Sequence, residues 1–195
     1  MFRWLVKPLV FLLCLVPAYG LVVDILANNL GANPIENLTH RTGDWTLRLL
    51  LVTLAITPLR RLSGWTWPLR LRRMLGLFAF FYALCHFSIY FWLDQQLVWP
   101  DIVEDVIERP YITVGFTAFL LLIPLAVTST RGMMRRLGKR WKQLHQLVYV
   151  AAALGILHFL WLVKADSFEP LIYAGVLAML LICRRWPRRR KDFEL

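Results

Sequence analysis

Six apolar runs, separated by loops of alternating charge, constrain this chain more than any other feature of its sequence. At a rise of 1.5 Å per residue, about 20 helical residues cross the hydrocarbon core of a bilayer. The chain is 58% hydrophobic with a mean hydropathy of +0.55, whereas a soluble domain contains less apolar sequence. We therefore predict an all-α polytopic membrane protein, a single six-helix transmembrane bundle over residues 1–195. The predicted helices are about 5–26, 45–59, 74–93, 111–128, 143–163 and 170–183.

The charges of the loops predict the orientation of these helices. The chain has 23 Lys and Arg against 12 Asp and Glu, and its net charge is +11. Nineteen of the basic residues lie in the N-terminus, the loops after the second and fourth runs, and the tail; the other four are Arg41, Arg48, Arg109 and Lys164. Because basic residues concentrate in cytoplasmic loops, we predict that both termini are cytoplasmic and that the basic clusters face a lipid bilayer, not a nucleic acid.

The first run has a second interpretation, and the chain as a whole shows no internal repeat or second domain. Its basic start, apolar centre and small-residue end are typical of a signal peptide. The apolar run continues, however, through LVVDILA, which favours a retained membrane helix.

Three of the four histidines fall inside apolar runs, where an imidazole needs a partner. His40 lies in the predicted loop ENLTHRTGDW and is interpreted as a solvated residue. His86 follows Arg73 by 13 residues and His158 follows Lys142 by 16, so both belong to the outer halves of helices that run from inside to outside. Two imidazoles at matching depth on different helices are the arrangement that a haem iron with two axial histidines needs.

His145 is predicted at the other end of the fifth helix. It follows Lys142 by three residues and precedes His158 by 13, which is about 20 Å along a helix axis. Thirteen steps of 100° leave these two side chains about 140° apart, so they do not share one face of an ideal helix.

Two other uses of the histidines stay open from the residues alone. A six-helix proton-coupled transporter could use them as a relay, although Asp24 is the one intramembrane carboxylate and no broken-helix halves are evident. A zinc site is poorly supported, since the histidines lie at unlike depths and Cys85 points about 100° away from His86. The three cysteines form no CxxCH motif, which excludes the usual covalent attachment of haem.

A family resemblance rests on segments that occur in order along the chain: ITPLRRL, RRMLGL, YALCHF, RPYITVGF, LAVTSTRGMMRRLGKRWKQLHQLVYV and HFLW. They resemble the haem-binding membrane subunits of bacterial methionine sulfoxide reductase systems, within the wider ferric reductase-like transmembrane domain family. The resemblance implies that His86 and His158 are the axial ligands of an outer haem b. His145 matches the inner ligand of two-haem members, whose partner would fall near Arg72 or Arg73, where this chain has no histidine. One haem is therefore expected, and a second is left open.

The resemblance also implies the route of the electrons. No GxGxxG turn for a dinucleotide is present, so the expected donor is the membrane quinol pool or a cytosolic flavin reductase, with FMN as a further cofactor. The expected acceptor is a periplasmic MsrP-type molybdopterin reductase that repairs methionine sulfoxide. This chain would then be the electron-transfer subunit in the bacterial inner membrane and not the catalytic subunit.

Three arginines are candidate partners for acidic groups of these cofactors. Arg48, near the outer end of the second helix, could meet a haem propionate or extend to the lipid headgroups. Arg72 and Arg73 could serve an inner propionate or the phosphate of FMN, or a lipid phosphate, which is the commoner partner of such clusters.

Overall fold

A computed structural model describes residues 5–163 and 167–185, with the side chain of Arg185 excepted. Every regular element in these residues is helical, which confirms the all-α prediction for them. Some of the basic residues that contribute to the predicted orientation lie outside the described residues, namely Arg3, Lys164 and the part of the tail after Arg185. In chain order the α-helices are α1 (Val6–Leu26), α2 (Pro34–Ser63), α3 (Arg72–Ser88), α4 (Trp99–Glu108), α5 (Pro110–Val127), α6 (Arg131–Leu137), α7 (Lys139–Leu144), α8 (Leu147–Leu162) and α9 (Phe168–Arg185).

Within residues 5–163 and 167–185, four helical segments have the length and the composition to cross a membrane: Val6–Leu26, Arg72–Asp94, Pro110–Val127 and Lys139–Leu162. The second of them continues α3 through a π-helical turn at Ile89–Asp94. The other two predicted spans correspond to α2 and α9, which are helical but carry six and three charged residues respectively. The protein is therefore a multi-pass membrane protein, and the crossing of α2 and α9 stays a prediction.

The structure differs from the sequence prediction in two helices, α2 and α4, at the end of the bundle where α2 begins. The side chain of Asn33 accepts a hydrogen bond from the Glu36 N–H (3.3 Å), and Pro34 occupies the first helical position. Both are strong start signals, so α2 begins about three turns before the apolar run does. His40, predicted in a loop, is therefore helical. The acidic segment after the third predicted helix is also predicted as a loop, but it contains α4.

The core is built from two antiparallel helix pairs, α2 with α3 and α5 with α8, which make the most extensive contacts between helices. Small residues allow these helices to approach closely: Ala79, Ala151 and Ala152 are each at most 1% exposed. Close approach over small side chains is the usual way in which membrane helices associate. The two pairs enclose the site that is described below.

Tyr82 fixes the position of α1 against α3. Its side chain is 1% exposed, and its hydroxyl donates to the Cys14 carbonyl (2.7 Å) and accepts from the Ala18 N–H (3.1 Å). The hydroxyl thus inserts between two backbone groups that would otherwise bond to each other in a regular helix. Because Tyr82 lies one turn before His86, this contact also holds α3 in place beside the site.

Candidate functional site

The structure brings His86 and His158 together. His86 lies in the last turn of α3 and His158 in the last turns of α8. The centroids of their rings are 6.1 Å apart, and the ring planes are nearly perpendicular, at 83°. The matching depth that the sequence predicts for these two residues therefore corresponds to two imidazoles that face each other inside the bundle.

One nitrogen of each imidazole is held by the backbone of a neighbouring helix. His86 Nδ1 lies 2.9 Å from the Thr39 carbonyl oxygen, and His158 Nδ1 lies 2.7 Å from the Tyr111 carbonyl oxygen. A carbonyl oxygen only accepts, so in both rings Nδ1 carries the proton. The lone pair of each neutral ring is then on Nε2, which is the state of a histidine that is ready to bind a metal.

A cavity of about 630 Å³ is lined by both histidines and by residues of α2, α3, α4, α5 and α8. Its volume lies in the range of about 300–1,000 Å³ that is usual for sites of small ligands and cofactors. Most of its wall is apolar, with aromatic rings such as those of Phe87, Phe119 and Phe159. The site therefore suits a large, mainly apolar group that offers a metal to two imidazoles.

Charged groups of the cavity wall come from the end of the bundle where α2 begins. They are Asp44, Asp94 and Arg109, and the imidazole of His40 lines the same end of the cavity. Arg109 is the one Lys or Arg of the described residues that lines the cavity. A ligand with an apolar body and an acidic edge would find its cationic partner at Arg109.

Asp105 holds Arg109 beside the cavity. Its buried carboxylate lies 3.2 Å from Arg109 Nε and accepts hydrogen bonds from Gln95 Nε2 (2.7 Å) and from the Tyr90 hydroxyl (3.3 Å). The negative charge of Asp105 raises the pKa of Arg109 above its ordinary value, so this guanidinium stays charged at any ordinary pH. The same carboxylate connects α4 to the turn that follows His86.

The structure does not bring Arg48 into this cavity. Its guanidinium donates to the Tyr173 hydroxyl (2.9 Å) and forms ion pairs with Asp44 (3.4 Å) and Glu169 (3.6 Å). It also lies over the ring of Trp45, 5.3 Å from the centroid. With two carboxylates beside it, Arg48 connects α2 to α9 and is a poor candidate for an additional acidic partner.

His145 lies apart from the other two imidazoles, in the short break between α7 and α8. Its Nδ1 donates to the Trp141 carbonyl (3.1 Å), and its ring stacks on the Trp141 indole at 3.9 Å. Its Nε2 is buried and has no hydrogen-bond partner among the described residues. Arg72 is close enough to act on it electrostatically, while Arg73 is exposed. Within the described part of the chain no second imidazole faces His145, so this end of the bundle lacks a histidine pair there.

The residues around the histidine pair favour one of its possible uses over a zinc site or a proton relay. Among the described residues no group of three His, Cys, Asp or Glu side chains is placed to hold a metal ion, which a protein-ligated zinc site would need. Asp24, the carboxylate of the alternative proton relay, forms an ion pair with Arg41 at 2.6 Å. Two imidazoles beside an apolar cavity fit a metal whose remaining ligands come from a macrocycle.

Arg109, Asp105 and His40 are site residues that the sequence reasoning missed. The sequence pattern places His40 in a solvated loop and presents the acidic segment around Asp105 only as a charged outer loop. The sequence does contain a signal that could have identified this helix, namely the spacing of the apolar residues 99, 102, 103, 106 and 107, which is typical of an amphipathic helix. On such a helix Asp105 and Arg109 lie one turn apart.

Comparisons with known proteins identify the family of this chain. Residues 42–156 match the family described as ferric reductase like transmembrane component. The protein-methionine-sulfoxide reductase heme-binding subunit MsrQ of Herminiimonas arsenicoxydans is 55% identical over 98% of this chain and 90% of its own length. The protein of the same name from Rhodospirillum rubrum is 56% identical over 94% and 89%. The chain belongs to the MsrQ family. The MsrQ subunit of Xanthomonas campestris, strain 8004, is 59% identical over 82% of this chain and 73% of its own.

Proposed function

We propose that this MsrQ-family chain is a membrane b-type cytochrome that binds haem b between His86 and His158. The observation that carries the proposal is the facing pair of imidazoles. In a haem with two histidine ligands, each ring centre would lie about 3 Å from the iron, because an Fe–N bond is about 2 Å and the nitrogen is about 1 Å from the ring centre. The two ring centroids would then be roughly 6 Å apart. The two centroids are 6.1 Å apart.

The surrounding residues of the chain give the two ligands their tautomer and orientation. The Thr39 and Tyr111 carbonyls each accept an Nδ1–H bond, which leaves Nε2 available and makes it more basic. Haem b bound there would supply one-electron oxidation and reduction at its iron. The apolar wall excludes water, and Arg109 would neutralise a propionate. We assign the propionate role to Arg109 and not to Arg48, whose guanidinium lies outside the cavity.

The proposed path of electrons leads from the end of the bundle near His145 to the end near His86. In the six-helix arrangement with both termini cytoplasmic, the donor would be membrane quinol or a cytosolic flavin reductase. His145 and Arg72 would contact the incoming electron carrier, FMN or a quinone, near the inner surface, with the exposed Arg73 beside them. The acceptor would be a periplasmic MsrP-type molybdopterin reductase, since relatives of this chain carry the name of a protein-methionine-sulfoxide reductase subunit.

Haem content in purified protein tests the proposal. We expect His86→Ala and His158→Ala each to lose most of the bound haem, because each removes one axial ligand. Cys85→Ala is the matched control. Cys85 is the sequence neighbour of His86 but does not line the cavity, so this variant should keep the haem. A folded wild-type protein that is colourless after expression in haem-replete cells would contradict the proposal and favour the transporter interpretation.

A further inference from the structure

The two histidines are held by half-sites that correspond residue by residue. In each, Nδ1 donates to a backbone carbonyl 47 positions earlier in the chain, from Thr39 for His86 and from Tyr111 for His158. One turn after each carbonyl comes a glycine that lies against the imidazole ring, Gly43 in α2 and Gly115 in α5. The half-sites thus consist of a histidine, a carbonyl and a glycine at identical spacing.

The correspondence extends into the helix pairs that carry the half-sites. The offset from 39 to 111, from 43 to 115 and from 86 to 158 is 72 in each case. The buried pairs Leu50 and Leu122, and Ala79 and Ala151, have this same offset. The half-site positions of α2 and α3 therefore recur in α5 and α8 at a constant offset of 72, a correspondence that the sequence reasoning did not detect. Equal spacing around the two histidines indicates equivalent roles for the two glycines.

The two glycines provide space that a side chain would fill. A Cβ at position 115 would lie 2.6 Å from His158 Nδ1 and 2.9 Å from Cε1. Carbon atoms attract each other at about 3.5–4.0 Å, so this contact is a collision with a rigid ring. The ring cannot turn away without stretching its 2.7 Å hydrogen bond to the Tyr111 carbonyl. At position 43 a Cβ would lie 3.2 Å from His86 Nδ1 and Cε1, a tighter contact than usual that a shift of a few tenths of an ångström would relieve.

We propose that Gly43 and Gly115 are positioning residues for the two imidazole ligands. The proposal rests on the proposed haem site. Each glycine lets an imidazole lie flat enough against the neighbouring helix to reach the carbonyl one turn earlier, and this contact sets the angle between the two ring planes. Both residues act through the histidines, and the expected effect of adding a methyl group is larger at position 115 than at position 43.

Single alanine substitutions in the full-length protein test this role. The variants are Gly115→Ala and Gly43→Ala, with Gly76→Ala and Gly175→Ala as controls. A Cβ at Gly76 would meet only a methyl group at 3.8 Å, and one at Gly175 would meet nothing within 4 Å. The measurements are haem affinity by titration, the electron paramagnetic resonance spectrum of the ferric state, and thermal stability. The spectrum reports ligand orientation, which a general packing defect would not change.

For Gly115→Ala we expect haem affinity to fall about 10- to 100-fold, as is typical when the support of a metal ligand is removed, with a high-spin signal replacing part of the low-spin signal. For Gly43→Ala we expect bound haem with shifted g values, and for the controls a wild-type spectrum. Wild-type affinity and spectrum in both Gly115→Ala and Gly43→Ala would overturn the inference. If the Gly115→Ala protein fails to insert into the membrane, an unchanged spectrum in Gly43→Ala is by itself enough to overturn the inference. A wild-type protein without haem would instead refute the proposed function.

Discussion

Replacing Asp105 with alanine should release α4 from the rest of the bundle. The Asp105 carboxylate is 8% exposed and connects α4 to the turn after His86 through Gln95 and Tyr90. Along its length α4 supplies five apolar residues to the cavity wall: Trp99, Ile102, Val103, Val106 and Ile107. Loss of the carboxylate should therefore open one side of the cofactor cavity without touching either histidine.

The size of the effect follows from the three contacts of the carboxylate. The bond from Gln95 Nε2 is short, at 2.7 Å, and a hydrogen bond to a charged group contributes about 1.5–3 kcal/mol. The Tyr90 bond is long, at 3.3 Å, and the partner Arg109 is half exposed, so these two together add only about 0.5–1 kcal/mol. The total is about 2–4 kcal/mol, which corresponds to a roughly 30- to 700-fold change in an opening equilibrium.

Amide hydrogen exchange of residues 99–108 measures this opening directly. In Asp105→Ala we expect these amides to exchange roughly 30- to 700-fold faster than in the wild type, while the amides of α3 and α8 keep their protection. Glu104→Gln is the control, since Glu104 is exposed on the same helix and should leave the exchange unchanged. If α4 exchanges at the wild-type rate in Asp105→Ala, the carboxylate does not hold this helix and the reasoning is wrong.

Four further substitutions separate the roles assigned above. Tyr82→Phe should lower the free energy of unfolding in detergent by about 1–3 kcal/mol, because it leaves two buried backbone groups of α1 without their partner; an unchanged value would show that the helix closes its own hydrogen bond. Arg109→Gln should weaken haem binding, whereas Arg48→Gln should leave haem affinity near that of the wild type, and the reverse order in a haem titration would reassign the propionate partner. His145→Ala should keep haem at His86 and His158 but slow its reduction by quinol or a flavin reductase in stopped-flow measurements; loss of all haem would mean that the wrong histidines have been paired.

The sequence is sufficient to predict the helical class and the depth of the histidines. Apolar runs and charged loops report directly on helix length, and distance along a helix axis gives depth with little error. Sequence spacing therefore puts His86 and His158 at matching depth, and the family resemblance pairs them as ligands. The helix starts are less predictable. The cap at Asn33 and Pro34 extends α2 well beyond its apolar run, because capping depends on local hydrogen bonds and not on hydropathy.

The contacts around the pair cannot be derived from the sequence. Which backbone carbonyl a histidine reaches depends on how two helices cross. That crossing is set by the packing of side chains from both helices, so the pattern of one helix alone does not give it. The placement of Arg48 shows the same limit. Its position near a helix end suggests a propionate partner, but Glu169 and Tyr173 come from a helix more than 100 residues away in sequence. The roles of Arg109 and Gly115 likewise become visible only with α4, α5 and α8 placed around one cavity.

Electron paramagnetic resonance of the ferric protein is the most direct test of haem ligation by His86 and His158. If the two imidazole planes keep their angle of 83° on a bound iron, they would act almost equally on two of its d orbitals. These orbitals would then be nearly degenerate, and the low-spin signal would be strongly anisotropic. We predict one such signal with a large maximum g value in the wild type, and its loss in both His86→Ala and His158→Ala. A high-spin wild-type signal, or a low-spin signal that survives in either variant, would contradict the account.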